Sequence, residues 1–341
     1  MPNSTDFQTI VGIDIAKSVF QVYSCDTETG IISNEKIKRD RLLEHFTNVP
    51  ACKIGMEACG SSQYWARKLT ALGHTVKLMD PKLVKPFVSH NKSDRADAEG
   101  IYHALLHGTR CVPVKNDTER DVDTLLTLRT RLVKLQTGDI NHVRGLLAEY
   151  GQIMPCSTVR FLDEVGNCIN SLEGDAAQAV IEELRLVVDG IRKRAERIKT
   201  ISSNIAALAK KTKHAANLLT VPGVGIITMA YMCVLLADPQ VYSSGRQFAA
   251  FLGLVPMHTG SGGKTITTHI PMRCNQQLRA LMIECAQAVA RAKYKTPWVS
   301  AILAKKPKKV ALVAIANRIA RQCWAVASKG EAWKDLSVTT A

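Results

Sequence analysis

The chain lacks the features that would settle its class at a glance. Its 10 cysteines make no C-x-x-C pair and no regular framework, which argues against a disulfide scaffold or a structural zinc site and for reduced thiols that fill cores. No apolar run reaches bilayer length: residues 226–237 are bracketed by Pro222 and Pro239 and predict a buried core helix. The opening residues, MPNSTDFQT, carry no basic-then-apolar leader, so a cytoplasmic location with no membrane partner is expected. Acids are scarce in one region only. Residues 214–341 hold 15 Lys and Arg against 4 Asp and Glu, a net +11, whereas residues 1–115 and 116–213 carry +3 and +1. Such a concentration is the electrostatic footprint of a polyanion-binding surface, because each phosphate neutralised releases counterions.

What is present divides the 341 residues, 46% of them hydrophobic, into segments large enough to bury cores of their own. The first alternates strand and helix. TIVGIDIAKSVFQVYS reads as a β-branched strand, GIISNEKIKRD as its hairpin partner across a Thr29-Gly30 turn, and CKIGMEAC and HTVKLMD as further strands. RLLEHF, SSQYWARKLTALG (capped by Ser61 or Ser62) and SDRADAEGIYHALLHG read as helices, so an α/β layer fold with a mixed sheet is expected. The second segment is helical. Ile181, Leu184, Val188, Ile191, Ala195, Ile198, Ser202 and Ile205 form a heptad seam, and a helix from about Asp117 to Tyr150 carries a broader apolar stripe. A coiled-coil arm follows from that pair, its seam either a dimer interface, the favoured reading, or an intramolecular hairpin.

The third segment opens with LLTVPGVGIITMA, whose Gly223 and Gly225 suit a turn between helices that presents N–H groups to phosphate, or equally a packing corner. Helices are expected at about 244–252, 275–293 and 310–328. The run Lys305, Lys306, Pro307, Lys308, Lys309 is placed on a loop and, within so basic a region, against a nucleic-acid backbone.

Two acids sit in apolar strands: Asp14 in IVGIDIAK and Glu57 at the end of KIGMEA. Burying a carboxylate costs several kcal/mol unless it is paired or bound to a cation. Asp94 and Asp97, spaced i, i+3, share one face of the first turn of a helix. Singly, Asp94 is an ordinary N-terminal carboxylate favoured by the helix dipole, and a strand acid could pair with Lys17. Together the four suit Mg²⁺ or Mn²⁺, and a pair of such ions can stabilise both oxygens of a phosphodiester displacement.

The loop MHTGSGGKTITTH is not a phosphate-binding P-loop, since the required glycine six residues before Lys264 is His258. It is either a flexible turn or the seat of a nucleophile. Gly260 and Gly262 would let a phosphate approach Ser261, with Lys264 and Arg246 to stabilise developing charge.

VGIDIAK, GMEACGS and NKSDRADAEGI resemble the RuvC-like, ribonuclease-H-fold domain of the DEDD transposases of bacterial insertion sequences. This is the family often called "one-ten", with its "eleven-eleven" subgroup, and it includes the Piv-type DNA invertases. PGVGIITMAYMCVLLADPQVYSSGRQFAAFLGLVP resembles its C-terminal transposase domain, and the likeness covers nearly the whole chain. The resemblance implies a RuvC-like DEDD catalytic domain over 1–115, a helical coiled-coil dimerisation arm over 116–213 and a mainly α-helical transposase domain over 214–341. It implies a metal-binding tetrad of Asp14, Glu57, Asp94 and Asp97, and Ser261 as a nucleophile forming a phosphoserine link to DNA. Its implied partners are double-stranded donor and target DNA, a structured noncoding bridge RNA, and copies of the chain as a homodimer assembling to a tetramer. Arg246, Lys264, Arg273 and Arg279 are further nucleic-acid candidates. The chain departs from the family pattern at Pro271, Met272, Arg273 and Cys274, where a lysine and a turn glycine are missing. A Piv-like invertase, a structure-specific RuvC-like nuclease and a catalytically inactive nucleic-acid-binding protein are the alternative readings.

Overall fold

β-Branched and aromatic residues build the N-terminal sheet, whose first two strands are buried on both faces. Its strands are β1 (Thr9–Ile15), β2 (Val19–Asp26), β3 (Ile32–Lys38), β4 (Lys53–Glu57), β5 (Thr75–Met79) and β6 (Cys111–Val112), in the order β3-β2-β1-β4-β5-β6. β1, β4 and β5 run parallel and the other neighbours pair antiparallel, the mixed sheet expected from the sequence. The computed structural model describes residues 7–88, 93–260, 266–272 and 274–334.

The helices of this part are α1 (Leu42–Thr47), α2 (Ser62–Ala71), α3 (Pro81–Val84) and α4 (Asp94–Leu106). One face of the sheet buries Val11, Ile13, Phe20, Ile54 and Met56 against Phe46, Trp65 and Leu69 of α1 and α2. The other face buries Ile10 and Tyr23 against Ala98, Ile101, Tyr102 and Leu105 of α4. α2 starts as expected, but Ser61 makes no side-chain cap; Ser62 Oγ instead accepts from the Cys59 N–H at 3.1 Å and donates to the Cys59 carbonyl.

α4 lies against the strands at backbone distance. Gly12 and Gly55 are register partners in β1 and β4, and a Cβ on Gly12 would stand 2.3 Å from the Ala98 carbonyl oxygen and 2.6 Å from the Tyr102 nitrogen. The obstacle is helix backbone, which has no rotamer to move away.

The arm is α5 (Asp117–Glu149), α6 (Thr158–Asn170) and α7 (Gln178–Ala209). Asn116 and Glu119 form a reciprocal capping box at the start of α5. The heptad seam is used inside the chain: Ile181, Leu184, Val188 and Ile191 are buried against Ile140, Val143 and Leu147 of α5 and Phe161, Val165 and Ile169 of α6. The favoured expectation of a dimer interface along this seam is therefore corrected to an intramolecular hairpin. Toward the C-terminal end of α7 the buried positions are Ile201 and Ile205, with Ser202 outside the core. A helix of 3.6 residues per turn drifts from a 3.5-residue seam by about 20° per heptad, which brings Ile201 to the buried side.

The remainder is α8 (Ala215–Leu218), α9 (Ile226–Leu235), α10 (Gly245–Phe251), a hairpin of β7 (His258–Thr259) and β8 (Ile266–Thr267), α11 (Gln276–Arg291), α12 (Pro297–Lys305) and α13 (Lys308–Lys329). Its core takes in Val122 and Leu126 of α5 and Ile201 and Ile205 of α7, so the base of the arm and the C-terminal helices share one interior. Among the described residues α13 alone is long and apolar enough to cross a membrane, and its apolar stripe, from Leu312 through Ile315 and Ile319 to Cys323, lies inside this core. The lysine run is not a loop: Lys305 ends α12, Lys306 and Pro307 make the link, and Lys308 and Lys309 open α13.

Gly12→Ala should destabilise the fold by at least about 3 kcal/mol, the upper range for overpacking, whereas Gly60→Ala, with nothing within 4 Å of the new carbon, should stay within about 0.5 kcal/mol; urea denaturation of both variants checks this. Ile191→Ala should cost about 2–5 kcal/mol and leave the mass of the native particle in light scattering unchanged, because Ile191 is buried within its own chain.

Candidate active site and nucleic-acid interface

Side chains alternate across a strand, so Asp14 and Glu57 follow Gly12 and Gly55 onto the face that α4 covers. Both are half-buried at the C-terminal ends of parallel strands. Asp97 precedes the buried Ile101 by one turn and is half-buried; Asp94 precedes Ala98 in the same way and is exposed. Ser93 Oγ accepts from the Ala96 N–H and caps the helix, placing both aspartates at its positive end. Asp14 and Glu57 thus share one face and one end of the sheet, and Asp94 and Asp97 stand in the first turn of the helix that covers that face. Among the described residues no three His, Cys, Asp or Glu side chains are grouped as they would be around one ion, so the shared face is present without a closed coordination shell.

Gln21 was not anticipated at this site. It stands directly opposite Asp14 in the β1–β2 ladder and is only 6% exposed. Its Nε2 donates to Asn34 Oδ1, and Asn34 Nδ2 reaches the Arg95 carbonyl at 3.5 Å, a path from the sheet to the first turn of α4. Gln21 Oε1 is buried and, among the described residues, accepts no hydrogen bond. Such an oxygen costs about 1–3 kcal/mol unless a donor or cation meets it. Hard oxygen donors around a half-buried carboxylate, with one acceptor unsatisfied, fit Mg²⁺ or Mn²⁺ in ligand type.

The serine loop is carried by the β7–β8 hairpin. Met257 and His269 continue its ladder through the Met257 N–H to the His269 carbonyl at 3.1 Å, and Thr267 Oγ1 lies 3.2 Å from His258 Nδ1. Ser261, Lys264 and Arg273 lie outside the described residues. Arg279 Nη1 donates to the Pro271 carbonyl at 2.6 Å and so ties down the return from the hairpin. At the position where the sequence departs from the family pattern, Cys274 fits against Gly253: a Cβ on that glycine would be 2.6 Å from Cys274 Sγ.

Gly223 has φ +83°, and a Cβ there would stand 2.6 Å from the Cys285 carbonyl, so it makes a packing corner against α11. Gly225 is different: it is exposed at the start of α9, beside Arg129 and Lys134 of α5. The four lysines around Pro307 are all exposed.

Between α10, β8, α12 and α13 runs a cleft of about 1310 Å³. Arg246 and Lys309, both anticipated, line it together with His269 and with Trp298, Asn317, Arg318, Arg321 and Trp324, and these last five were not. The Arg318 guanidinium lies 4.5 Å from the centre of the Trp298 ring, and Trp324 Nε1 donates to the Pro239 carbonyl at 3.0 Å. On α13 the lining residues Lys309, Val313, Asn317, Arg321 and Trp324 step by 4, 4, 4 and 3, a helical stripe that the sequence does display. A further unanticipated residue, Arg110 beyond α4, places its guanidinium 5.8 and 5.3 Å from the rings of Tyr242 and Phe251, joining the sheet to the C-terminal helices. Burial pushes the Tyr242 hydroxyl up to about 12, so it stays neutral under that cation.

The sequence has counterparts among known proteins. A DEDD transposase model of the IS110 type matches residues 11–152, and a model described as transposase IS116/IS110/IS902 family matches residues 215–301. The chain is 36% identical over 329 residues to a probable family 20 transposase of Pseudomonas aeruginosa, covering 94% of this chain and 96% of the relative. It is 34% identical to the transposase for insertion sequence element IS1111A of Coxiella burnetii, covering 95% and 91%. It is also 29% identical to a pilin gene-inverting protein of Moraxella bovis, covering 94% and 95%. An acidic face on an α/β sheet, a strongly basic helical part and full-length likeness to these enzymes lead to one assignment: the chain belongs to the IS110/IS116 family of DEDD transposases.

Proposed function

We propose that the chain cuts and rejoins DNA through a 5′-phosphoserine at Ser261, with Asp14, Glu57, Asp94 and Asp97 holding Mg²⁺ or Mn²⁺. Two observations support this reading: Asp14 and Glu57 lie on the α4-covered face of the sheet, and Asp94 and Asp97 lie in the first turn of α4 itself. The bound metal would polarise the scissile phosphate and stabilise the leaving oxygen.

The chain's own residues do the rest. Ser261 Oγ attacks phosphorus, the bond from phosphorus to the 3′-oxygen breaks, and that oxygen leaves as a 3′-hydroxyl. The 3′-hydroxyl of another strand later attacks the phosphoserine, forming a new phosphodiester and returning the serine hydroxyl. One ester replaces another at each step, so strand exchange needs no ATP, whereas attack by water would only hydrolyse the DNA. Gln21 and Asn34 fix the first turn of α4 relative to Asp14. Arg110 couples that sheet to the helices that carry the serine hairpin.

The finer assignment extends to a RuvC-like N-terminal domain, the "eleven-eleven" subgroup, and guidance by a structured bridge RNA that pairs with donor and target DNA, leaving the protein to read backbone and shape. Copies of the chain act as a homodimer assembling to a tetramer, through surfaces other than the buried seam of α7. The three segments 1–115, 116–213 and 214–341 are its working domains. A second reading is an invertase with the same chemistry, favoured by the likeness to the pilin gene-inverting protein; an invertible segment flanking the gene, in place of element ends with a noncoding RNA, identifies it.

The test is a denaturing-gel assay for protein–DNA adducts with labelled donor and target DNA, RNA from the flanking noncoding region, and Mg²⁺. Wild type should form an adduct, while Ser261→Ala, Asp14→Ala and chelation by EDTA should each abolish it. Clean cleavage by both wild type and Ser261→Ala would leave a metal nuclease, and binding without any cleavage an inactive binder. In duplex binding, replacing Lys305, Lys306, Lys308 and Lys309 together by Ala should flatten the plot of log K against log salt by ~0.9 for each phosphate that is no longer neutralised, without changing sequence preference.

A further inference from the structure

We propose that the cleft between α10, β8, α12 and α13 binds a segment of unpaired DNA, with Trp298 as a stacking surface for bases and Arg246, Lys309, Arg318 and Arg321 along the backbone. This inference rests on the reading of the chain as a DNA-cutting enzyme and gives that enzyme a site for a separated strand.

The first argument is charge. The cleft is lined by Arg246, Lys309, Arg318, Arg321 and His269 and, among the described residues, by no Asp or Glu. None of those arginines and lysines is joined to a carboxylate in the ion pairs of the described residues. Lys308 and Lys309 add positive charge at the N-terminus of a 22-residue helix, where the dipole already disfavours cations. An anion held at this end removes both penalties.

The second argument is the floor. Leu254, Val310, Val313 and Ala314 line the same cleft as the cations. Trp298 is 37% exposed, with Arg318 fixing its ring. A duplex offers a protein its phosphates and the edges of its bases and keeps the base faces stacked. An apolar floor with an exposed indole is matched by base faces, which only an unpaired strand presents. A volume of about 1310 Å³ exceeds the roughly 300–1,000 Å³ of small-molecule sites and suits several nucleotides in a row.

The third argument is position. β8 returns from the loop that carries Ser261, and the residues that follow it, Thr268, His269 and Ile270, form one wall of the cleft. A strand separated during cutting and rejoining has this surface beside it. The lysines around Pro307 differ in kind: they are exposed at a helix link, and Lys309 alone among them lines the cleft.

The experiment uses the full chain in EDTA, so that no chemistry intervenes, and a fluorescein-labelled 12-nucleotide oligo-dT. The oligonucleotide should bind, quench tryptophan fluorescence, and be displaced less readily by a duplex or an oligo-U of the same length. Trp298→Ala should weaken oligo-dT binding about 30-fold, the middle of the range for losing one stacked base, while leaving duplex affinity unchanged; Trp298→Phe should restore most of it. Arg321→Gln is a second variant with the same expected direction. Oligo-dT binding unaffected by Trp298→Ala and Arg321→Gln would overturn the proposal, as would preference for oligo-U or duplex in the cleft. If Ser261→Ala forms no adduct yet binds oligo-dT as wild type does, both readings stand. An adduct in wild type with oligo-dT binding insensitive to the cleft variants sinks the cleft alone, and cleft binding in a wild-type chain that forms no adduct sinks the cutting reaction alone.

Discussion

The approach of α4 to β1 governs the acidic site. At Gly12 the strand meets the helix backbone itself, at the Ala98 carbonyl and the Tyr102 nitrogen, with no side chain between them to tolerate change. That contact sets the height of the helix above the sheet and its position along β1. Asp14 and Glu57 emerge one pleat beyond the glycine pair on the face that α4 covers, and Asp94 and Asp97 stand in the first turn of that helix. Gln21 and Asn34 add a polar strut from the sheet to that turn, at the expense of one buried oxygen that a cation or its bound water would satisfy.

The rest of the molecule carries this face to nucleic acid. The base of the arm is fused into the C-terminal core, and Arg110 links the sheet to the same helices through the rings of Tyr242 and Phe251. The two halves differ in charge: the last third carries a net +11, whereas residues 1–115, which hold the acidic face, carry +3. Within that basic part the charges serve different ends. Arg279 holds the return from the serine hairpin, the lysines near Pro307 face solvent, and the arginines of α10 and α13 line a cleft.

Much of the fold can be read from the sequence where the signal is local. Apolar residues mark β1, β2, β4 and β5, and an acid within such a strand marks Asp14 and Glu57 as exceptional. Non-local requirements were not legible. Nothing around Gly12 announces a helix backbone above it, and Gln21 in VFQVYS looks like an ordinary outward-facing residue. The heptad seam of α7 identified an apolar face correctly, but a seam says nothing about which chain covers it, and here α5 and α6 do. α12 was missed although Thr296 and Pro297 form a good helix start, with Thr296 Oγ1 accepting from the Val299 N–H. The cleft draws on α10, β8, α12 and α13, so its residues are scattered over some eighty positions and only the lysine run nearby stands out.

The central claim is that Asp14, Glu57, Asp94 and Asp97 together hold a divalent cation, and direct binding of Mn²⁺ to the full chain, followed by electron paramagnetic resonance, tests it most closely. Wild type should convert free Mn²⁺ to a bound form, and Asp14→Asn, Glu57→Gln, Asp94→Asn and Asp97→Asn should each weaken that binding while leaving the melting transition in place. Equal Mn²⁺ binding by wild type and all four variants would place the cation elsewhere and contradict the account.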